Sequence, residues 1–313
     1  MTMPDVTILD GGLATELELR GFDLSDRLWS ARVLLEAPDA IEAVHRAYFE
    51  AGAQVATTAS YQATIPGFEA AGMDREAALE AIRRSVELAR RARAGYLEAT
   101  VDAGATTDVT RALLIAGSVG PYGAMLADGS EYRGDYDPGE ARLREVHAPR
   151  MDVLLETGVD VLALETIPTI READVLVRLV EARGARAWLS YQCRDGRSTA
   201  AGEPIEAAMA VAEGAAGIVA VGVNCTAPRH LPALLAAAQA VTDLPLIAYP
   251  NGGDAWDATA RRWVVADADG AFDPSVAADW TALGAAWIGG CCGTGPAQIL
   301  GLARAVAARA GAR

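Results

Sequence analysis

Eight short runs of apolar residues punctuate the chain, at positions 6–10, 54–58, 113–118, 161–165, 187–191, 218–223, 246–249 and 285–288. Each is apolar almost throughout rather than alternating with polar residues, the pattern of parallel strands buried on both faces. The stretches between them carry helical spacing, as Ile82, Val86 and Ala89 show after Asp74, and prolines mark helix starts at Pro38, Pro138, Pro204 and Pro274. Eight strand–helix units predict an α/β chain folded as a (β/α)8 TIM barrel, a single domain over residues 1–313, with a doubly wound sheet as the structural alternative. Two longer irregular stretches, 121–137 and 252–273, each follow a strand and are predicted to cover the barrel mouth.

Composition narrows the chemistry. At 313 residues and 51% hydrophobic, the chain can bury one large core. Its formal net charge of -15 is spread through helical stretches and repels phosphate backbones, so nucleic acid is not an expected partner. All 27 basic residues are arginine, which excludes lysine Schiff-base chemistry, pyridoxal phosphate included. No apolar run approaches the roughly 20 residues that span a bilayer, and residues 1–10 lack a leader pattern, so a cytoplasmic protein with no membrane partner is expected. In a reducing compartment, four cysteines point to metal binding or catalysis rather than to disulfides.

Barrel enzymes carry their reactive groups at the carboxyl ends of strands. There the sequence places Asp10, Ser60, Tyr61, Glu165, Thr166, Cys193, Asn224, Cys225, Asn251, Cys291 and Cys292. Cys225 closes the sixth run and the Cys291-Cys292 pair follows the eighth, so a barrel brings three thiols to one side of its rim. Three thiolates with one open position describe a zinc ion prepared for chemistry, because a structural zinc closes all four positions. The plainer reading is that the cysteines are small buried residues. Gly289, Gly290, Gly293 and Gly295 have a competing explanation as a phosphate-binding loop. Two adjacent thiols are an odd choice for phosphate, however, and glycine equally lets the backbone turn both toward one ion. His45 and His147 fall in helical segments and His230 opens one, so all three read as structural or surface residues.

Five motifs occur in order: Leu9-Asp10-Gly11-Gly12-Leu13-Ala14-Thr15, Leu164-Glu165-Thr166-Ile167-Pro168, Gly222-Val223-Asn224-Cys225, Tyr249-Pro250-Asn251-Gly252-Gly253 and Gly289-Gly290-Cys291-Cys292-Gly293-Thr294. Together they resemble the zinc-dependent homocysteine S-methyltransferases, over nearly the whole chain. The pattern looks most like the stand-alone enzymes that use S-methylmethionine or S-adenosylmethionine, with the betaine-dependent enzymes and the homocysteine module of cobalamin-dependent methionine synthase more distant. The resemblance implies Zn2+ held by Cys225, Cys291 and Cys292, homocysteine and a methyl sulfonium donor as substrates, and methionine as product. It also implies that Asp10 and Glu165 receive the homocysteine ammonium through charge-assisted hydrogen bonds. Gly11 and Gly12 then let the backbone approach the substrate carboxylate, and Asn224 orients the site beside Cys225. Tyr61 attracts the cationic donor, with Trp29, Trp256 and Trp263 as further aromatic candidates. Cys193 matches no metal-binding position of the family.

Methyl transfer suits such a site. A free thiol with pKa near 8.5 is only a few per cent ionised at neutral pH, whereas a thiol on Zn2+ is deprotonated outright. Ionisation alone contributes little: lowering the pKa by about two units raises the thiolate fraction roughly 25-fold, and a Brønsted slope near 0.45 returns about 8-fold of that in lost nucleophilicity. Alignment of the sulfur with the methyl carbon must supply most of the rate, and no general base is needed in the transfer step. The alternatives are a betaine-dependent or selenocysteine methyltransferase of the same family, a phosphate-binding barrel lyase or isomerase using Asp10 or Glu165 as base, and a non-enzymatic zinc or redox thiol protein.

Overall fold

The computed structural model describes residues 6–24, 30–102, 113–252, 255–257, 262–264 and 272–310. Every predicted apolar run contains a strand: β1 (Thr7–Ile8), β2 (Val55–Thr57), β3 (Leu114–Val119), β4 (Val161–Ile167), β5 (Ala187–Tyr191), β6 (Ile218–Asn224) and β7 (Leu246–Tyr249). After the antiparallel hairpin β8 (Ala255–Asp257) and β9 (Arg262–Val264) comes the last, β10 (Ala285–Ile288). The eight long-range partners are all parallel, in the order β1-β10-β7-β6-β5-β4-β3-β2. A parallel bridge between Leu9 and Val55 brings the two ends together and makes the (β/α)8 barrel. The strand ends moved most at β1, which is shorter than its apolar run, and at β4, which runs two residues past Glu165.

Period-two alternation sorts the side chains of each strand to the two faces of the wall. One set, including Ala116, Val161, Ala163, Trp188, Ala220, Ile247 and Trp287, packs together inside the barrel. Their neighbours Leu162, Leu164, Leu189, Val221, Val223 and Ile288 join the larger core between barrel and helices. Trp188 and Trp287, with ring centroids 5.8 Å apart, fill the interior. Counting onward by twos from the inner set reaches Ser118, Glu165, Tyr249 and Cys291, all of which line one cavity above that filling. These four residues continue the barrel's inner face past the point where apolar packing stops.

Helices Pro38–Glu50, Arg75–Asp102, Glu140–Glu156, Ile170–Arg183, Leu231–Gln239 and Pro296–Ala310 are the long elements of the outer layer. The 121–137 stretch contains a short helix, Tyr122–Leu126, and a single 3-10 turn, Ser130–Tyr132. Of the 252–273 stretch, the β8–β9 hairpin is described, while the side chains of Trp29, Trp256 and Trp263 lie outside the described residues. No described helix is long and apolar enough to cross a membrane.

One core residue is costly where it stands. His45, on the helix Pro38–Glu50, is fully buried, and neither ring nitrogen has a hydrogen-bond partner among the described residues. Burial holds its ring down at about 4 from the ordinary 6.5. Above pH 6.5 the ring is neutral in both states. As the pH falls from there toward 4, the unfolded chain takes up a proton that the folded chain refuses, and stability is lost. His45→Leu is therefore expected to stabilise the fold by about 1 kcal/mol or more at pH 7.5 by removing an unpaired polar ring. At pH 5 the advantage over the native chain should grow by about 2 kcal/mol. Urea unfolding of both proteins at the two pH values checks this, and an advantage independent of pH would contradict it.

Candidate active site

Cys225 follows β6, and Cys291 and Cys292 follow β10 by a short turn. Sequence positions 66 residues apart meet here because β6 and β10 both flank β7. The Sγ atoms of Cys225 and Cys292 are 3.9 Å apart, and all three sulfurs lie within 4.8 Å of one another. A tetrahedral ion with metal–sulfur bonds near 2.3 Å holds its sulfurs about 3.8 Å apart, so the arrangement fits a metal-ligand set. Cys225 sits in the left-handed region at φ +46°, ordinarily left to glycine, and its N–H donates to the Tyr249 carbonyl at 3.1 Å. Such backbone strain recurs where a fold fixes a reacting group. The hydrogen bond from the Cys225 thiol, followed by that from Cys292, holds Cys291 well below an ordinary thiol, while the same bond to Cys291 pushes Cys225 up. Three thiolates need a positive centre between them.

The glycine-rich turn that presents the pair is tied down by its own backbone. The N–H groups of Gly289, Gly290 and Cys291 donate to the carbonyls of Ala248, Asp10 and Pro250. Thr294 N–H donates to the Cys291 carbonyl, and those of Gly293 and Gly295 to the side chains of Thr15 and Gln298. Committed in this way, these six N–H groups are not available to cradle a phosphate, which removes the observation behind the phosphate-loop alternative. Gly290 is required by packing: a Cβ there would stand 2.1 Å from Thr294 Oγ1. Gly12 is likewise pressed against the turn, where a Cβ would come within 2.7 Å of the Cys291 carbonyl. The Tyr48 hydroxyl bridges the two segments, donating toward the carbonyls of Gly12 and Thr294, each at 3.0 Å.

Beside the sulfurs, a cavity of about 100 Å3 is lined by Asp10, Gly11, Gly12, Tyr61, Glu165, Tyr132 and the three cysteines, among others. Asp10 accepts from the Thr57 N–H at 2.6 Å and from the Thr57 hydroxyl at 2.9 Å. Glu165 accepts a short hydrogen bond from the Ser118 hydroxyl and one from the Tyr249 hydroxyl at 3.2 Å. Burial raises Asp10 to about 7 against the lowering effect of its Thr57 bonds. Burial, then the Cys291 charge, raises Glu165 to about 8. No basic side chain is among the described residues that line the cavity. Chemically this is a three-thiol group suited to a metal ion, facing a small chamber that holds two buried acids.

The family model for homocysteine S-methyltransferase matches residues 7–306. The chain belongs to the homocysteine S-methyltransferase family. It is 46% identical over 299 residues to the homocysteine S-methyltransferase of Escherichia coli K12, covering 95% of this chain and 94% of that one. It is 42% identical over 310 residues to the selenocysteine Se-methyltransferase of Brassica oleracea var. italica, covering 96% and 89%. The crystal structure of the Escherichia coli homocysteine methyltransferase MmuM in its metallated form superimposes with a TM-score of 0.85 at 44% identity, covering 96% of each chain. The chain is accordingly a methyltransferase enzyme on a barrel that in this relative binds metal.

Within this homocysteine S-methyltransferase fold, Asp10, Gly11, Gly12, Tyr61, Glu165, Thr166, Cys225, Cys291 and Cys292 line one cavity. Asn224 is buried at the end of β6, where its Oδ1 accepts from the Thr166 N–H at 2.7 Å and the Ser190 hydroxyl at 2.9 Å. Its Nδ2 donates to Thr166 Oγ1 at 2.8 Å and lies 3.9 Å from Cys291 Sγ. Asn224 thereby fixes Thr166, the second left-handed residue of the site at φ +61°, and touches the sulfur cluster. Gly11 and Gly12 line the cavity, and the lack of a side chain at each also permits close approach to the turn of Cys291 and Thr294. Cys193 is buried outside the three-sulfur group, and burial pushes its thiol up. His45, His147 and His230 stay off the cavity wall.

Sequence reasoning passed over Thr57, Ser118 and Tyr249, which hold the two acids, and Tyr132, which forms part of the wall. The first three sit inside or at the end of strands and were open to discovery by counting inward positions. Tyr132 comes from the 121–137 stretch, where only its place after β3 gave a signal.

Proposed function

We propose that this enzyme transfers a methyl group from a sulfonium donor, S-methylmethionine or S-adenosylmethionine, to homocysteine, with zinc held by Cys225, Cys291 and Cys292. The observation that carries the reading is the triangle of sulfurs on the wall of a small chamber that also holds two buried acids. When bound, zinc would supply the Lewis acidity that keeps an incoming thiol ionised at neutral pH.

Asp10 and Glu165 receive the homocysteine ammonium, whose charge draws off the protons that burial lets them keep. Thr57, Ser118 and Tyr249 hold the two carboxylates in place while they do so. Tyr61 and Tyr132 offer aromatic surface to the cationic donor. In the transfer the donor's S–CH3 bond breaks, its electron pair stays on the donor sulfur, and the homocysteine sulfur forms the new C–S bond. No proton moves in that step. S-methylmethionine and homocysteine then yield two methionines, while S-adenosylmethionine yields methionine and S-adenosylhomocysteine. The 42% identical selenocysteine enzyme supports a selenol as a second acceptor at the same position.

The test offers zinc-loaded protein and homocysteine each of S-methylmethionine, S-adenosylmethionine, betaine and methyltetrahydrofolate in turn, with methionine measured. Turnover with a sulfonium at least about 100-fold above betaine is expected. Equal or faster turnover with betaine would contradict the donor assignment.

A further inference from the structure

A second cluster of buried charge lies outside the cavity and is used by no step above. Helix Glu140–Glu156 buries His147 and Arg150, and the first turn of helix Ile170–Arg183 buries Glu172. Arg150 donates to the Tyr61 carbonyl at 3.2 Å, to the Gly120 carbonyl in a short bond, and to His147 Nδ1 at 2.6 Å. With Nδ1 accepting, His147 carries its proton on Nε2 and donates to Glu172 Oε1 at 2.6 Å. Burial, then the Arg150 charge, lowers the ring's proton affinity, so the imidazole links cation to anion while neutral.

The far end of this relay holds the 121–137 stretch at both of its ends. Tyr122 N–H donates to Glu172 Oε1 at 2.6 Å, and the Tyr136 hydroxyl donates to Glu172 Oε2 at 2.6 Å. The two tyrosine rings lean together with centroids 5.5 Å apart. Between these pins lies Tyr132, on the cavity wall with Cys225 and Cys292. The near end of the relay grips the carbonyl of Tyr61, a second aromatic of that wall beside Tyr132.

We infer that Arg150, His147 and Glu172 are positioning residues that clamp Tyr61 and Tyr132 into one wall, so that the cluster sets the affinity for the methyl donor while leaving homocysteine and metal binding alone. The inference rests on the sulfonium-donor reading above. Its logic is spatial: Asp10, Glu165 and the sulfurs are held by Thr57, Ser118, Tyr249 and the glycine-rich turn, none of which bonds to the relay among the described residues. A loosened clamp therefore moves one side of the chamber only. A carboxylate with three donors also fixes a short loop more firmly than a neutral acceptor would, because hydrogen bonds to ionised groups are the stronger ones.

Tyr136→Phe tests this with the smallest change, removing one hydroxyl and leaving Glu172 its other partners. With S-methylmethionine as donor, KM for the donor is expected to rise about tenfold, the equivalent of one charge-assisted hydrogen bond. KM for homocysteine and zinc content should stay within about twofold. Amide hydrogen exchange should quicken across 121–137 and remain unchanged in the turn around Cys291. Glu172→Gln, a larger perturbation of the same clamp, should give the same selective pattern more strongly in the fraction that folds. A donor KM unchanged in Tyr136→Phe, or donor and homocysteine KM rising together, would overturn the inference. Native protein that turns over neither sulfonium would instead overturn the donor reading itself, and the exchange data report on the tether in either case.

Discussion

Replacing Cys225 by serine is expected to remove bound zinc and methyl transfer together. The three sulfurs come from two strand ends that share β7 as their neighbour, and their spacing suits one tetrahedral ion. A serine hydroxyl keeps the size but is neutral at pH 7 and a poor ligand for a borderline-soft ion. The loss should exceed the roughly 10- to 100-fold that changing a neighbour of a metal ligand costs in affinity or activity. Cys292→Ser should behave alike, since Cys292 Sγ is the sulfur 3.9 Å from Cys225. Cys193→Ser supplies the contrast: its buried thiol stands outside the cluster, so zinc content should be retained at about one ion per chain. Zinc measured by mass spectrometry beside turnover decides the matter. Metal-replete Cys225→Ser protein with native turnover would end the proposal.

Glu165→Gln is expected to raise KM for homocysteine by about 10- to 150-fold, the range for losing a hydrogen bond to a charged group. Zinc content should not change. The amide keeps the shape and can still meet Ser118 and Tyr249, but it cannot supply the negative charge that an ammonium requires. In the native chain burial raises Glu165 to about 8, so its ionisation is coupled to arrival of the cation. Steady-state kinetics with homocysteine varied at saturating donor separates this from a base role. If Glu165 were a proton-abstracting base in a lyase or isomerase, the glutamine variant would lose kcat outright with KM little altered.

The barrel was legible because strands buried on both faces must be apolar almost throughout, and every such run became a strand. The sulfur site was legible for a chemical reason: cysteine, aspartate and glutamate at the ends of apolar runs stand out by type. Less visible was the length of β4, which carries Glu165 within the strand rather than at its end, because its register with β5 shifts between Leu164 and Ile167. Tyr132 could not be placed from local pattern. Its segment is flanked by Tyr122 and Tyr136, both of which donate to Glu172, a residue 40 positions beyond Tyr132. His147 reads from sequence only as a helical residue, yet its partners Arg150 and Glu172, and Arg150's own partners at 61 and 120, meet only in the folded chain. Long-range polar pairing leaves no periodic trace in a sequence, whereas burial does.

Counting sulfur neighbours of the bound metal by X-ray absorption tests the central claim most directly. Zinc-loaded protein is predicted to show three sulfurs, from Cys225, Cys291 and Cys292, at about 2.3 Å, and four once homocysteine is added. Fewer than three sulfurs in the substrate-free protein, or a count that homocysteine leaves unchanged, would contradict the account.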